Sequence, residues 1–268
     1  MVPPAVKVGT VSRARCLACM SGAQIWIPYC GAGPTPAELA LRWNLDPVLL
    51  AAMVTAVAGY VAWRRRGGQG RDLLAAAALV VAVIAFVSPL CALSSALFSA
   101  RVTHHALLTA VIAPLAVFAL PRLPRVRTPL VVAVVVQALA FWLWHSPPLY
   151  AWALGADAAY WLMQATLLAA SVLFWSSARQ AAAPAAALAL LATLVQTGLL
   201  GALITFAARP LYEPHLLTTA AWGLTPLADQ QLAGLIMWAP MAGFYLLAAL
   251  AMVGRSLGPE PARRAPTW

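Results

Sequence analysis

The chain has 268 residues, of which 63% are hydrophobic and only 9% charged, and it carries a net charge of +10. Soluble domains carry about 25% charged residues; here the apolar residues come in long runs, which excludes such a domain and predicts an all-α, polytopic membrane bundle. No short alternating segments of the barrel kind are visible, and the basic surplus, once located, reads as membrane orientation and not as nucleic-acid binding.

In chain order, residues 1–46 form an N-terminal tail, in which Lys7, Arg13 and Arg15 precede a modest apolar stretch from Cys16 to Tyr29. Three readings stay open for it: a poor signal peptide, a translocated tail or an over-extended gene start. Cys16 and Cys19 have CxxC spacing, a weak redox or metal signal when it stands alone. Seven spans follow within residues 47–253: Pro47–Trp63, Leu73–Cys91, His104–Leu120, Pro129–Trp144, Ala159–Ser176, Ala185–Ala207 and Gln231–Val253. Asp46-Pro47 offers an N-cap and a proline at the first helical position. Pro121 and Pro124 close the third span, and Pro129 opens the fourth. Residues 254–268 form a basic tail.

Orientation follows from where the arginines lie. Arg64, Arg65, Arg66, Arg71, Arg122, Arg125, Arg127, Arg179, Arg255, Arg263 and Arg264 fall on one side, against only Asp72 and Glu260, a surplus of nine. Lys7, Arg13, Arg15, Arg42, Arg101 and Arg209 fall on the other, nearly balanced by Glu38, Asp46, Asp157, Glu213 and Asp229. The arginine-rich side is therefore expected to be cytoplasmic, with the N-terminus outside and the C-terminus inside. No charged residue or histidine falls in the middle of a predicted span, which argues against a pump or an ion-coupled transporter. Gln137, Gln196 and Thr197 read as interhelical hydrogen-bonding residues, and Gly198 and Gly201 as close-packing positions.

The outer ends of the spans hold the groups with chemistry. His104 and His105 open the third span and His145 follows the fourth, and the short connection 121–128 makes these helices antiparallel neighbours. Both histidine positions then stand at one level, and only one of His104 and His105 faces the partner, because they are about 100° apart around the helix. Cys91 closes the second span at a similar level, Asp229 precedes the seventh, and Met237 and Met241 follow at i, i+4. A mixed His, Cys and Met set suits copper in either oxidation state, so the candidate ligands are His105, His145, His104, Cys91, Asp229, His215 and Met237. The plain alternative for the methionines is core packing. The segment from Arg209 to Gln231, with Tyr212, His215, Trp222 and Pro226, reads either as a lid or as a set of interfacial aromatic anchors. Ser94, Ser95 and Ser99 read as local caps, and without a nucleophilic triad, phosphate loop or zinc protease motif no catalytic residue is assigned. A second reading is a membrane b-type cytochrome, with haem between His104 or His105 and His145; a third, a solute transporter, is disfavoured by the uncharged midplane.

With those residues in hand, the chain resembles the multi-pass CtaG family of cytochrome c oxidase assembly proteins. The matching segments are Trp43-Asn-Leu-Asp-Pro47, Ser88-Pro-Leu90, His105-Ala-Leu-Leu with Ala113-Pro-Leu115, Trp144-His-Ser-Pro-Pro-Leu-Tyr150, and Tyr160-Trp-Leu-Met-Gln164 through Phe174-Trp175. The most specific is Trp222-Gly-Leu-Thr-Pro-Leu-Ala-Asp-Gln-Gln-Leu-Ala-Gly-Leu-Ile-Met-Trp238. The resemblance implies a non-enzymatic factor of the bacterial inner membrane that matures a haem-copper terminal oxidase by supplying or guarding copper. Its implied partners are the oxidase catalytic subunit and a periplasmic copper chaperone. His105, His145 and Asp229 match family motif positions. Arg101 and Gln164 depart from it, standing where relatives place histidines.

Overall fold

Asp46 sets the first long helix. Its carboxylate accepts the N–H groups of Val48 and Leu49, and Pro47 occupies the first turn, so α1 (Pro47–Arg65) starts where the sequence predicts. The structure is a computed structural model that describes residues 26–120 and 127–256. The Cys16/Cys19 pair, Pro121, Pro124, Arg122, Arg125 and residues 257–268 of the basic tail lie outside the described residues.

Eight further helices follow: α2 (Asp72–Phe86), α3 (Pro89–Ala96), α4 (Phe98–Ala119), α5 (Leu130–Trp144), α6 (Pro147–Gly155), α7 (Asp157–Gln180), α8 (Ala183–Thr205) and α9 (Pro226–Gly254). Among the described residues there is no strand. Helices α1, α4, α7, α8 and α9 are each long and apolar enough to cross a membrane. The pairs α2–α3, bent by 46°, and α5–α6, bent by 72°, bring the total to seven if each counts as one broken span.

Both breaks fall at a Ser-Pro step. Pro89 and Pro147 sit in the first turn of α3 and α6, and the residues before them, Ser88 and Ser146, are extended at ψ 168° and 132°. Proline clashes with a helical residue before it and has no N–H to give, so the helix stops and restarts at a new angle. Ser88 Oγ also caps α3 by accepting from Leu90 N–H. The second span therefore does not end at Cys91 as expected; it breaks before Ser88 and continues obliquely.

The third span departs from its expected bounds in the other direction. It begins at Phe98, so His105 lies seven residues into α4, about 10 Å along it. The histidines are held inside a helix and not at its mouth. Two π-turns, Leu107–Ile112 in α4 and Met237–Met241 in α9, accompany Pro114 and Pro240. A widened turn relieves the clash between a proline ring and the carbonyl four residues earlier while keeping the helix continuous.

Packing divides the bundle into a tight body and a loose flank. Gly201 and Gly234 let α8 and α9 touch backbone to backbone, since a Cβ on Gly201 would stand 2.7 Å from the Gly234 carbonyl oxygen. Gly198 has ordinary room beside Trp238. Large side chains such as Tyr160, Phe174, Trp175 and Tyr245 fill the centre. By contrast, Leu49 is the only buried residue of α1, and an apolar cavity of about 810 Å³ separates α1 from α2 and α4. Leucines and valines such as Val131, Leu188 and Leu247 face outward, as lipid contact requires.

Arginines gather at one end of the bundle. Arg71 N–H donates to Ala119 O, Arg179 donates to Val117 O and Leu120 O, and Arg64 pairs with Asp72. The histidines, the α2–α3 and α5–α6 corners and the start of α4 occupy the opposite end. Residues 26–46 pack there too: Asn44 donates its side-chain N–H to Phe86 O, and Tyr29 stacks on Tyr160.

Candidate functional site

The start of α4 positions everything else at the histidine end. A helix leaves its first N–H groups without internal acceptors, and here α9 supplies one: Asp229 accepts from Phe98 N–H at 2.7 Å, from Ser99 N–H at 3.2 Å and from the Ser99 hydroxyl. Both carboxylate oxygens are therefore committed, and the negative group sits where the helix dipole favours it. In this arrangement Asp229 pins α4 to α9, a role that the expectation of a metal ligand did not include.

One turn and a half further on, His105 turns its ring toward His145, the residue that ends α5. Both rings are buried, with centroids 5.2 Å apart and an edge-to-face angle of 85°. His145 Nδ1 lies 2.7 Å from Phe141 O. A carbonyl only accepts, so Nδ1 carries the proton and Nε2 presents a lone pair. That lone pair lies 3.5 Å from His105 Nδ1, and His105 Nε2 has no hydrogen-bond partner. As the helical geometry requires, His104 faces elsewhere: its ring meets Phe86 edge-on at 4.8 Å, and neither of its nitrogens is bonded.

The remaining expected ligands are spread around this pair. Cys91 forms a disulfide with Cys30, 61 residues away, with Cα atoms 5.5 Å apart. It therefore has no thiolate to offer a metal, which corrects that expectation. His215 is buried, and its Nε2 meets the Tyr150 hydroxyl at 2.6 Å. Burial, aided by the charge of Arg101 and opposed by the Ala96 carbonyl, pushes its imidazole down to about 3, so it is neutral near pH 7. Met237 is buried against Gly201 in the α8–α9 contact, the packing role the sequence also allowed. Among the described residues no group of three or more His, Cys, Asp or Glu side chains is arranged to hold a metal ion. The opposed pair His105–His145 is what the structure assembles from the predicted set.

The segment after α8 folds across this end. The Tyr212 hydroxyl donates to His145 O at 2.8 Å, Thr218 to Ala96 O at 2.6 Å and the Trp222 indole to Pro34 O at 3.0 Å. Tyr212 also stacks on Phe98 at 3.6 Å. Of the two readings of this stretch, covering the site is the one these contacts fit.

Two site residues were misplaced or passed over in the sequence. Sequence position places Arg101 among the loop cations, yet it is fully buried on α4, one turn before His105. Gln164, in the sequence a departure from a motif, is buried on α7 beside Tyr160, with neither amide atom in a well-formed hydrogen bond. The haem alternative gains nothing from this geometry. A porphyrin needs a slot beside its axial ligands, and neither the cavity beside α1 nor another of about 390 Å³ near Trp175 is lined by a histidine.

Compared with known protein families, residues 57–257 match the model described as Cytochrome c oxidase caa3 assembly factor (Caa3_CtaG). Comparison with curated proteins and with solved structures gives no match. The matched stretch takes in α2 to α9 and so holds Arg101, both paired histidines, the Tyr212 segment and Asp229, while Trp43 to Pro47 precede it.

Proposed function

Since the chain belongs to the family of cytochrome c oxidase caa3 assembly factors, we propose that it matures a haem-copper oxidase by handling copper, as cargo, at His105 and His145. The observation that carries this reading is the opposed pair of buried imidazoles, with the His145 tautomer fixed by Phe141 O so that its lone pair points at His105. Metal-binding histidines are commonly oriented in this way, through a second ring nitrogen bonded to a carbonyl. Two neutral imidazoles make a small, low-coordinate site suited to an ion that must be passed on. No acid, base or nucleophile is needed for such transfer, so the role is that of a carrier and not a catalyst.

In this reading the histidine end faces out of a bacterial inner membrane and the arginine end faces the cytoplasm. The arginine clusters favour that orientation, and so does the Cys30–Cys91 disulfide, because disulfides persist on the oxidising side. A periplasmic copper chaperone would then load the site, and the oxidase catalytic subunit would receive the ion within the same membrane.

Metal analysis of detergent-purified protein loaded with Cu(I) tests the proposal. Wild type should retain copper through gel filtration, while His105→Ala and His145→Ala should each lose most of it and still elute as folded protein. Unchanged copper in both variants would refute the assignment.

A further inference from the structure

Arg101 has no part in the copper site, yet it lies fully buried beside it. A guanidinium does not give up its proton inside a protein, so the charge is permanent. Burying an unpaired ion is strongly unfavourable, and the usual remedy is a carboxylate. None is at hand. Among the described residues the sole ion pair is Arg64–Asp72, and the buried carboxylate of Asp229 is committed to Phe98 and Ser99.

What surrounds Arg101 instead is neutral and rich in donors. None of its Nε, Nη1 and Nη2 atoms completes a hydrogen bond. The Tyr150 and Tyr160 oxygens lie at the edge of hydrogen-bond reach of the guanidinium, neutral partners that do not balance its charge, and the guanidinium carbon lies 5.1 Å from the Tyr160 ring centre. That cation–π contact offsets part of the burial cost. One turn along α7 from Tyr160, the Gln164 amide is buried with neither polar atom in a well-formed hydrogen bond. A permanent cation, the Tyr160 hydroxyl and the Gln164 amide thus lie together without a counter-charge, while the Tyr150 proton is given to His215 Nε2.

We propose that Arg101, Tyr160 and Gln164 form a binding site for a small monovalent anion, a halide or a carboxylate, enclosed by α4, α6 and α7. The occupant is a small ion such as chloride or formate. Its charge would balance Arg101 and so remove the repulsion a metal cation would otherwise meet one turn away at His105. The site does not depend on the copper proposal, because Arg101 needs a counter-charge whether or not a metal is bound.

The test uses full-length, chelator-treated protein in detergent, held in gluconate buffer at constant ionic strength and titrated with chloride or formate. Radioactive chloride retention by equilibrium dialysis and the thermal unfolding midpoint are the two readouts. Wild type should take up a single saturable equivalent, and its midpoint should climb with the small anion but not with gluconate. Arg101→Gln should lose both responses, and Gln164→Ala should weaken the affinity severalfold. If Arg101→Gln does not fold, Arg101→Met gives the same comparison with an uncharged side chain of similar length. Saturation by formate without chloride assigns the site to carboxylates, and the reverse assigns it to halides. Wild type that shows neither uptake nor a midpoint shift with either anion would overturn the proposal, leaving Arg101 hydrated only by internal water.

Discussion

At the histidine end a disulfide, a carboxylate cap and a folded-over segment tie distant parts of the chain together, whereas at the arginine end α1 stands away from α2 and α4 across an apolar cavity. Polar groups are buried in the first region, and those that fix the backbone there, Asp229 and Tyr212, are committed to distant partners. In the second the charged groups are largely solvent-facing, with the Asp72 side chain 66% exposed. Orienting a helix in a membrane asks only that arginines stay on one side, and that tolerates loose packing. Holding two imidazoles within hydrogen-bond reach asks for backbone positions fixed from several directions.

Substitutions at the two ends should separate them sharply. Removing the disulfide with Cys30→Ser and Cys91→Ser frees a 61-residue loop, which chain entropy values at about 4 kcal/mol. Thermal unfolding in detergent should show it as the largest loss of the set. Asp229→Ala strands the N–H groups of Phe98 and Ser99 in a buried place and should cost roughly 3 kcal/mol, with copper retention falling alongside because α4 carries His105. Asp72→Ala breaks the Arg64 pair and the Tyr60 hydrogen bond at the arginine end, yet the unfolding midpoint should hardly move, as is usual for exposed ion pairs. A midpoint drop at Asp72 as large as that at Asp229 would erase the distinction between the ends.

Hydropathy alone located the seven apolar stretches and the arginine sorting, because burying or solvating a side chain is a local decision that composition records. The helix breaks were legible but under-read. Asp46-Pro47, Ser88-Pro89 and Ser146-Pro147 are the same signal, a cap followed by a proline, and the last two mark restarts within a span and not its end. The pairing of Cys30 with Cys91 was out of reach, since it depends on residues 26–46 returning to the corner between α2 and α3. Arg101 was misplaced for a related reason: hydropathy expels a charge from a span unless tertiary neighbours receive it, and those neighbours lie on α6 and α7. Asp229 showed its position but not its task, because a cap given by one helix to another leaves no trace in spacing.

The bond from the Tyr212 hydroxyl to the backbone oxygen of His145 has a mechanical consequence. It grips the peptide unit of the same residue whose ring addresses His105, just where α5 turns into α6. Pulling residues 206–225 away from the bundle therefore shifts that imidazole directly, without any helix having to slide. A docking protein that peels back this strap would loosen the grip on whatever the pair holds.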